Sequence, residues 1–339
     1  MNTNQELPSK IVKGAAFRFS LLTRFLAREE SSLLVFLTLL IVLFSLLQPS
    51  FLTVNNAINV IRQVAILAVA AFGATYVIIS QGLDLSVGAV NALSGVVAAL
   101  IARELGPVYG PWTGIPAGLM VGVATGLLNG LIITVININP IITTLGTMTM
   151  MRGLAFILTG GMSLYGVPSE FQWLGRGYLL GQLIPIPVAV MFIVFAVCYI
   201  GLNNSFLGRY TYAIGGNEEA ARLSGIPVRR VKGIVYIIGG ATAALSGVIL
   251  ASRLGAGQAA AATGFELDVI TAAILGGVSI TGGEGRLEGT FLGVLIIGIL
   301  SNGLILLNVE PYYQLVIKGL ALLSAVGLDR LRKRAAMAY

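Results

Sequence analysis

Histidine is absent from the 339 residues, and cysteine occurs once, as Cys198 inside an apolar run. The first absence removes the commonest general base and metal-binding side chain. The second excludes a disulfide framework and a thiolate metal site. Charge is also scarce. Only 10% of residues are Asp, Glu, Lys or Arg, against about 25% in an average soluble domain, while 56% are hydrophobic. No Gly-x-x-x-x-Gly-Lys-Ser/Thr stretch occurs, so the chain cannot cradle ATP phosphates by that route. These absences argue against a metalloenzyme, a histidine-based enzyme and a nucleotide-hydrolysing domain. No metal and no cofactor are expected.

What is present is apolar length. A helix needs about 20 apolar residues to cross a bilayer core. Windows of that kind predict an all-α polytopic membrane protein with about ten transmembrane helices, near 32–48, 57–80, 86–102, 114–136, 141–160, 184–203, 233–253, 268–281, 290–308 and 312–328. The eighth window is short and glycine-rich, which suits a half-helix or a re-entrant segment. Lys and Arg favour the cytoplasmic side. With the N-terminus inside, Lys10, Lys13, Arg18, Arg24, Arg28, Arg209, Arg222, Arg229, Arg230, Lys232, Arg286, Arg330, Arg332, Lys333 and Arg334 all fall inside. Both termini are therefore expected in the cytoplasm. The net charge of +7 reflects this orientation and not nucleic-acid binding. The N-terminal arm has no small-residue cleavage site, and its first apolar run is long enough to remain as an anchor.

The chain also contains an ordered set of internal matches. Leu83-Asp84-Leu85-Ser86-Val87 aligns with Leu267-Asp268-Val269-Ile270-Thr271, Gly114 and Gly118 with Gly289 and Gly293, and Asn129-Gly130-Leu131-Ile132 with Asn302-Gly303-Leu304-Ile305. Each copy closes on a proline, Pro140 and Pro311. The copies cover spans two to five and seven to ten. An offset of five spans gives them opposite orientation, the inverted repeat common in transporters. The expected organisation is an arm at 1–30, one transmembrane domain at 31–330 and a tail at 330–339. Within the domain lie repeat one at about 57–160, a cytoplasmic loop at 204–232 and repeat two at about 233–329.

That loop has helix signals. Asn217 can cap, Glu218 and Glu219 sit where the helix dipole favours anions, Gly225 suits a C-terminal stop and Pro227 prevents continuation. A short capped helix between two spans makes a firm lever. Its Glu219-Ala220-Ala221-x-x-x-Gly225 resembles the Glu-Ala-Ala-x-x-x-Gly motif of ABC importer permeases. The wider Tyr212–Ile226 stretch, Gly82–Gly88 and Leu275–Thr290 are similar to the ribose, xylose and arabinose branch of bacterial ABC sugar permeases, a resemblance covering roughly residues 50–330. It implies a helix at Asn217–Gly225 seated on a separate cytoplasmic ABC ATPase, a sugar-binding delivery protein, and a second permease copy or paralogue. A permease for branched-chain amino acids and an ion-coupled secondary carrier are the alternatives. An autonomous carrier needs no such lever.

Polar groups at membrane depth tend to face a bundle interior or a cavity. Asp84 is expected to cap span three and Asp268 the short eighth span; structural ion pairing, sugar contact and gating are further readings. Ser86, Asn91, Asn129 and Asn302 are neutral hydrogen-bonding groups, suited equally to a sugar pathway and to tying helices together. Arg152 lies mid-span and needs a partner that the sequence does not name. Lys318 has the reach to snorkel outward. The outer loop at Gly160–Leu183, with Glu170, Phe171, Trp173 and Arg176, is either a docking surface for the delivery protein or an interfacial aromatic anchor.

Overall fold

The computed structural model describes residues 29–181 and 183–337, and they form an almost wholly helical bundle. The arm charges Lys10 to Arg28 and the last two residues lie outside the described residues. In chain order the helices are α1 (Glu29–Leu47), α2 (Val54–Ile79), α3 (Val87–Glu104), the single turn α4 (Gly106–Tyr109), α5 (Gly114–Leu131), α6 (Pro140–Thr159), α7 (Ser169–Arg176), α8 (Ile186–Asn203), α9 (Phe206–Gly216), α10 (Glu218–Leu223), α11 (Val228–Leu254), α12 (Phe265–Leu275), α13 (Leu287–Leu306) and α14 (Pro311–Met337). A two-residue hairpin, Tyr178–Leu179 with Ile184–Pro185, is the sheet present among them.

Seven of these helices are long and apolar enough to cross a membrane: α2, α3, α5 with the turns that flank it, α6, α8, α11 and α13. The other three expected windows also contain helices. The apolar part of the first is Leu33–Leu47, α14 extends past its window to Met337, and α12 has only 11 residues. At 1.5 Å per residue α12 spans about 16 Å, roughly half a hydrocarbon core. The expectation of a short eighth element therefore holds.

The core forms around α11, which packs on α2, α3 and α5. Small residues permit this closeness. A methyl group built on Gly122 of α5 would stand 2.1 Å from the carbonyl oxygen of Gly240 on α11, so any larger side chain there would separate the helices. Membrane helices lack a hydrophobic drive toward one another and gain cohesion from such backbone approach. α2 is buried from Val64 to Ile79. The outward faces of α1, α6 and α8 carry exposed Leu39, Ile142, Ile157, Ile193 and Val197, as lipid contact requires.

Between α11 and α12 the chain does not leave the bundle. Gly257 lies against Val96 and Ala99 of α3, and a methyl built on Gly88, near the start of that helix, would meet the Ala262 carbonyl. The irregular stretch 255–264 thus runs back along α3 before α12 begins. Irregular backbone is tolerated in a membrane protein where it is buried in protein, and Ala256 and Ala259 are buried here.

Candidate coupling site and buried polar groups

The 204–232 segment folds as its local chemistry dictates. Asn217 has extended backbone, and its Oδ1 accepts the Ala220 amide at 2.9 Å, which caps α10. Glu218 and Glu219 occupy the first turn and Arg222 the last. Gly225, at φ +82°, ends the helix: its amide bonds to the Arg222 carbonyl and the Ile226 amide to the Ala221 carbonyl. This double bond pattern needs a left-handed residue at the turn. Two ion pairs brace the helix, Glu219 with Arg222 at 2.6 Å and Glu218 with Lys232 on α11 at 2.5 Å. Lys232 is buried, as is Ala221, whereas Leu223 is 79% exposed. The lever has the expected ends, with Glu218–Leu223 helical between Asn217 and Gly225; it is tied to α11 on one side, with an apolar side chain projecting from the other.

Two of the sequence stretches singled out above, Tyr212–Ile226 and Leu275–Thr290, meet each other and the end of α2 beside α9. Gly283 donates to the Ile79 carbonyl at the end of α2, 2.9 Å away. Tyr212 on α9 donates through its hydroxyl to the Gly285 carbonyl at 2.7 Å. Burial pushes the Tyr212 phenol up from its ordinary pKa, aided by Glu288 and opposed by Arg286, so it remains a donor at neutral pH. Gly215 touches both partners: a methyl there would meet the Ile79 oxygen and the Gly283 nitrogen.

Asp84 does not cap α3, contrary to the expectation. Its Oδ1 accepts the backbone amide of Ser86 at 2.8 Å and the Ser86 hydroxyl at 2.5 Å. Ser86 itself holds the cap position, with no side-chain bond to the helix amides. The chain turns two residues after the aspartate, so the carboxylate is consumed locally before it reaches the helix. Asn129 donates to the Ser86 hydroxyl at 3.2 Å, which joins α5 to this turn. Burial drives the Asp84 carboxyl above its ordinary pKa, and the two Ser86 bonds pull it back in part.

Asp268 does not cap either. Gly264 precedes α12, and Asp268 sits inside its first turn, paired with Lys318 of α14 at 2.7 Å. Lys318 is therefore held inward and does not snorkel. Arg152 of α6 donates to the backbone carbonyls of Ala259 and Ala261 at 2.8 and 2.7 Å, and more weakly to that of Ala262. Its partner is the irregular stretch before α12. Asn91 donates to Ser246, whose hydroxyl bonds to the Ile66 carbonyl. Asn302 forms a reciprocal amide pair with Asn56 at 2.9 and 3.0 Å. These asparagines tie helices together, while Asp84 is used within the turn before α3, Asp268 ties α12 to α14 and Arg152 holds the stretch before α12. They are not gathered into one site.

At the opposite end α7 is fixed to α11. Gly175 donates to the Ser252 hydroxyl, which donates to the Phe171 carbonyl, and Arg176 donates to the carbonyls of Arg253 and Leu254. Arg176 is thus committed to the C-terminus of α11. Glu170 stays exposed, and Trp173 meets Trp112 edge to face at 5.9 Å.

Comparison with known families decides what kind of protein carries this arrangement. The family described as branched-chain amino acid transport system / permease component matches residues 56–326. The chain belongs to this permease family. The permease is 49% identical over 297 residues to the ribose import permease protein RbsC of Bacillus subtilis, covering 87% of this chain and 90% of that one. It is 42% identical to RbsC of Escherichia coli over 304 residues, covering 88% and 93%. It is 38% identical to the L-arabinose transport system permease protein AraH of Escherichia coli over 307 residues, covering 91% and 92%. No solved structure matches the permease. The match spans every helix from α2 to α13 and includes the α10 lever. Sequence reasoning missed Asn56 and Tyr212 as contact residues. Neither has a spacing or motif that reports its distant partner.

Proposed function

We propose that this permease is the membrane-spanning subunit of an ATP-driven monosaccharide importer. Its α10 seats on a separate cytoplasmic ABC ATPase, a sugar-binding delivery protein supplies substrate from outside, and a second copy or a paralogue completes the pathway. The observation that carries this reading is the similarity, over nearly the whole chain, to permeases named for ribose and arabinose. The capped α10 agrees with it, because a rigid projecting helix suits a subunit driven by another chain. Asn217, Glu218, Glu219, Ala220, Ala221 and Gly225 are the coupling residues. Asp84, Ser86, Asn91, Asn129, Arg152, Asp268 and Asn302 are the candidate pathway or gating residues, the asparagines among them acting by holding together the helices that form the pathway.

The same reading includes ten spans in two inverted repeats, with both ends cytoplasmic. Gly118 of α5 packs on the Ser94 carbonyl of α3, and Gly293 of α13 on the Ala272 carbonyl of α12. The matched Asn129 and Asn302 are both buried near the ends of their helices. Asp84 and Asp268, by contrast, stand in an extended turn and in a helix, so the repeats have diverged there. A second reading, amino-acid import, follows from the family description.

The test is uptake of radiolabelled solutes into proteoliposomes carrying the permease, its ATPase and its delivery protein. ATP-dependent accumulation of a pentose or hexose supports the sugar reading. ATP-dependent accumulation of leucine with no sugar uptake moves the assignment to the second.

A further inference from the structure

We propose that the Ser279–Arg286 loop is the joint through which the α10 lever moves α12, and that Tyr212 is its positioning residue. The inference rests on the importer reading and identifies a part of it. α12 is too short to span and lies between two irregular stretches, 255–264 and 276–286. Its C-terminus is closed directly onto the second stretch: the Gly277 amide bonds to the Ile274 carbonyl and the Val278 amide to the Ala273 carbonyl. The loop is itself braced by the Ser279 amide on the Glu284 carbonyl. Val278 and Leu287 at its two roots are buried. A displacement at the loop tip is therefore passed to α12 with little slack.

Two hydrogen bonds attach backbone atoms of the tip to other described elements. One is the Gly283 amide on the Ile79 carbonyl, which anchors it to α2. The other is the Tyr212 hydroxyl on the Gly285 carbonyl. Tyr212 stands on α9, which continues through Asn217 into α10 without an intervening loop. A force on α10 thus reaches the loop through one hydrogen bond and the close packing of Gly215. At its far end α12 is closed onto the preceding stretch by the Phe265 amide on the Ala262 carbonyl and the Asp268 amide on the Gly264 carbonyl; Arg152 holds that stretch, and Asp268 ties the helix to Lys318. α12 is thus joined by backbone to both irregular stretches and moves with the loop that Tyr212 holds.

The experiment uses the reconstituted transporter with its ATPase and delivery protein. It measures ATP hydrolysed per ribose imported, and ATP-dependent alkylation of a cysteine probe at Leu267→Cys on α12 in a Cys198→Ser background. Tyr212→Phe removes one hydroxyl and keeps the ring. The proposal expects hydrolysis within about twofold of wild type, ribose per ATP reduced at least fivefold, and the ATP response of the probe abolished. Tyr210→Phe, on the same helix, should leave all three unchanged. A wild-type ratio and a responsive probe in Tyr212→Phe overturn the joint. A probe that labels equally with and without ATP in the otherwise unaltered chain overturns it as well. Gly225→Val separates the two ideas. If it uncouples while Tyr212→Phe does not, the joint fails and the lever stands; if it too retains a wild-type ratio, the importer lever itself fails.

Discussion

Lys318 on α14 reaches Asp268 on α12 at 2.7 Å, and both side chains are mostly buried. The short helix thus meets the long one through an ion pair beside the apolar packing of Ile270 and Ile274 with Leu322 and Val326. Removing one partner leaves an uncompensated charge, which costs about 3 kcal/mol, whereas replacing both by apolar residues of similar size is close to neutral. Asp268→Leu and Lys318→Met should each lower the unfolding temperature in detergent. The double variant should recover most of the loss. Equal and additive losses would show that the pair does not act as a unit.

Arg152 satisfies backbone carbonyls, with one terminal nitrogen on Ala259 and Ala261 and the other on Ala262; the planar guanidinium spreads its donors over all three, which a point-charge ammonium on a flexible stem does less well. Arg152→Lys should keep the charge and lose most of the hold on residues 259–262. Membrane insertion and assembly are expected to persist while transport falls about tenfold. Proteolysis or hydrogen exchange at 255–264 measures the loosening.

Asn217 and Gly225 set the two ends of α10. Asn217→Ala removes a cap worth about 1 kcal/mol. Gly225→Ala introduces a left-handed residue at about 1–2 kcal/mol, with no steric clash, because a methyl there meets nothing within 4 Å. Gly225→Asn, which tolerates that conformation better, should cost less. The order of ATP-driven transport is expected to be wild type, then Gly225→Asn, then Gly225→Ala.

Asp84 gives a pH signature outside the spans. Its folded-state pKa is raised, chiefly by burial. The folded state therefore holds its proton at pH values where the unfolded chain has released it. Stability contributed by this group is complete below the ordinary carboxylate range and declines as pH rises toward the folded value. Asp84→Asn should flatten that decline and leave the low-pH unfolding temperature almost unchanged. Thermal unfolding between about pH 4 and 8 checks it, and an unchanged pH profile in Asp84→Asn would contradict it.

The parts of this molecule that could be read from sequence are those whose chemistry is local. Asn217, the two glutamates, Gly225 and Pro227 lie within 11 residues and define α10. Long apolar runs define the seven strongest helices. Distant pairings were not legible. Lys318 and Asp268 are 50 positions apart, and Arg152 binds carbonyls, which every residue type possesses. Lys232 reads as a loop charge beside Arg229 and Arg230 but is buried against Glu218. The failed cap at Asp84 has a different cause: Ser86 lies close enough to capture the carboxylate, and residue type alone does not say which amide it will reach.

The account depends most on the source of energy. Proteoliposomes containing the permease, with the delivery protein outside and ATP enclosed, with and without the ATPase on the inner face, separate the possibilities directly. The importer reading predicts that the sugar bound by the delivery protein accumulates only when the ATPase and ATP are both present, and that an imposed proton or sodium gradient adds nothing. Accumulation driven by either gradient in vesicles lacking the ATPase would contradict it.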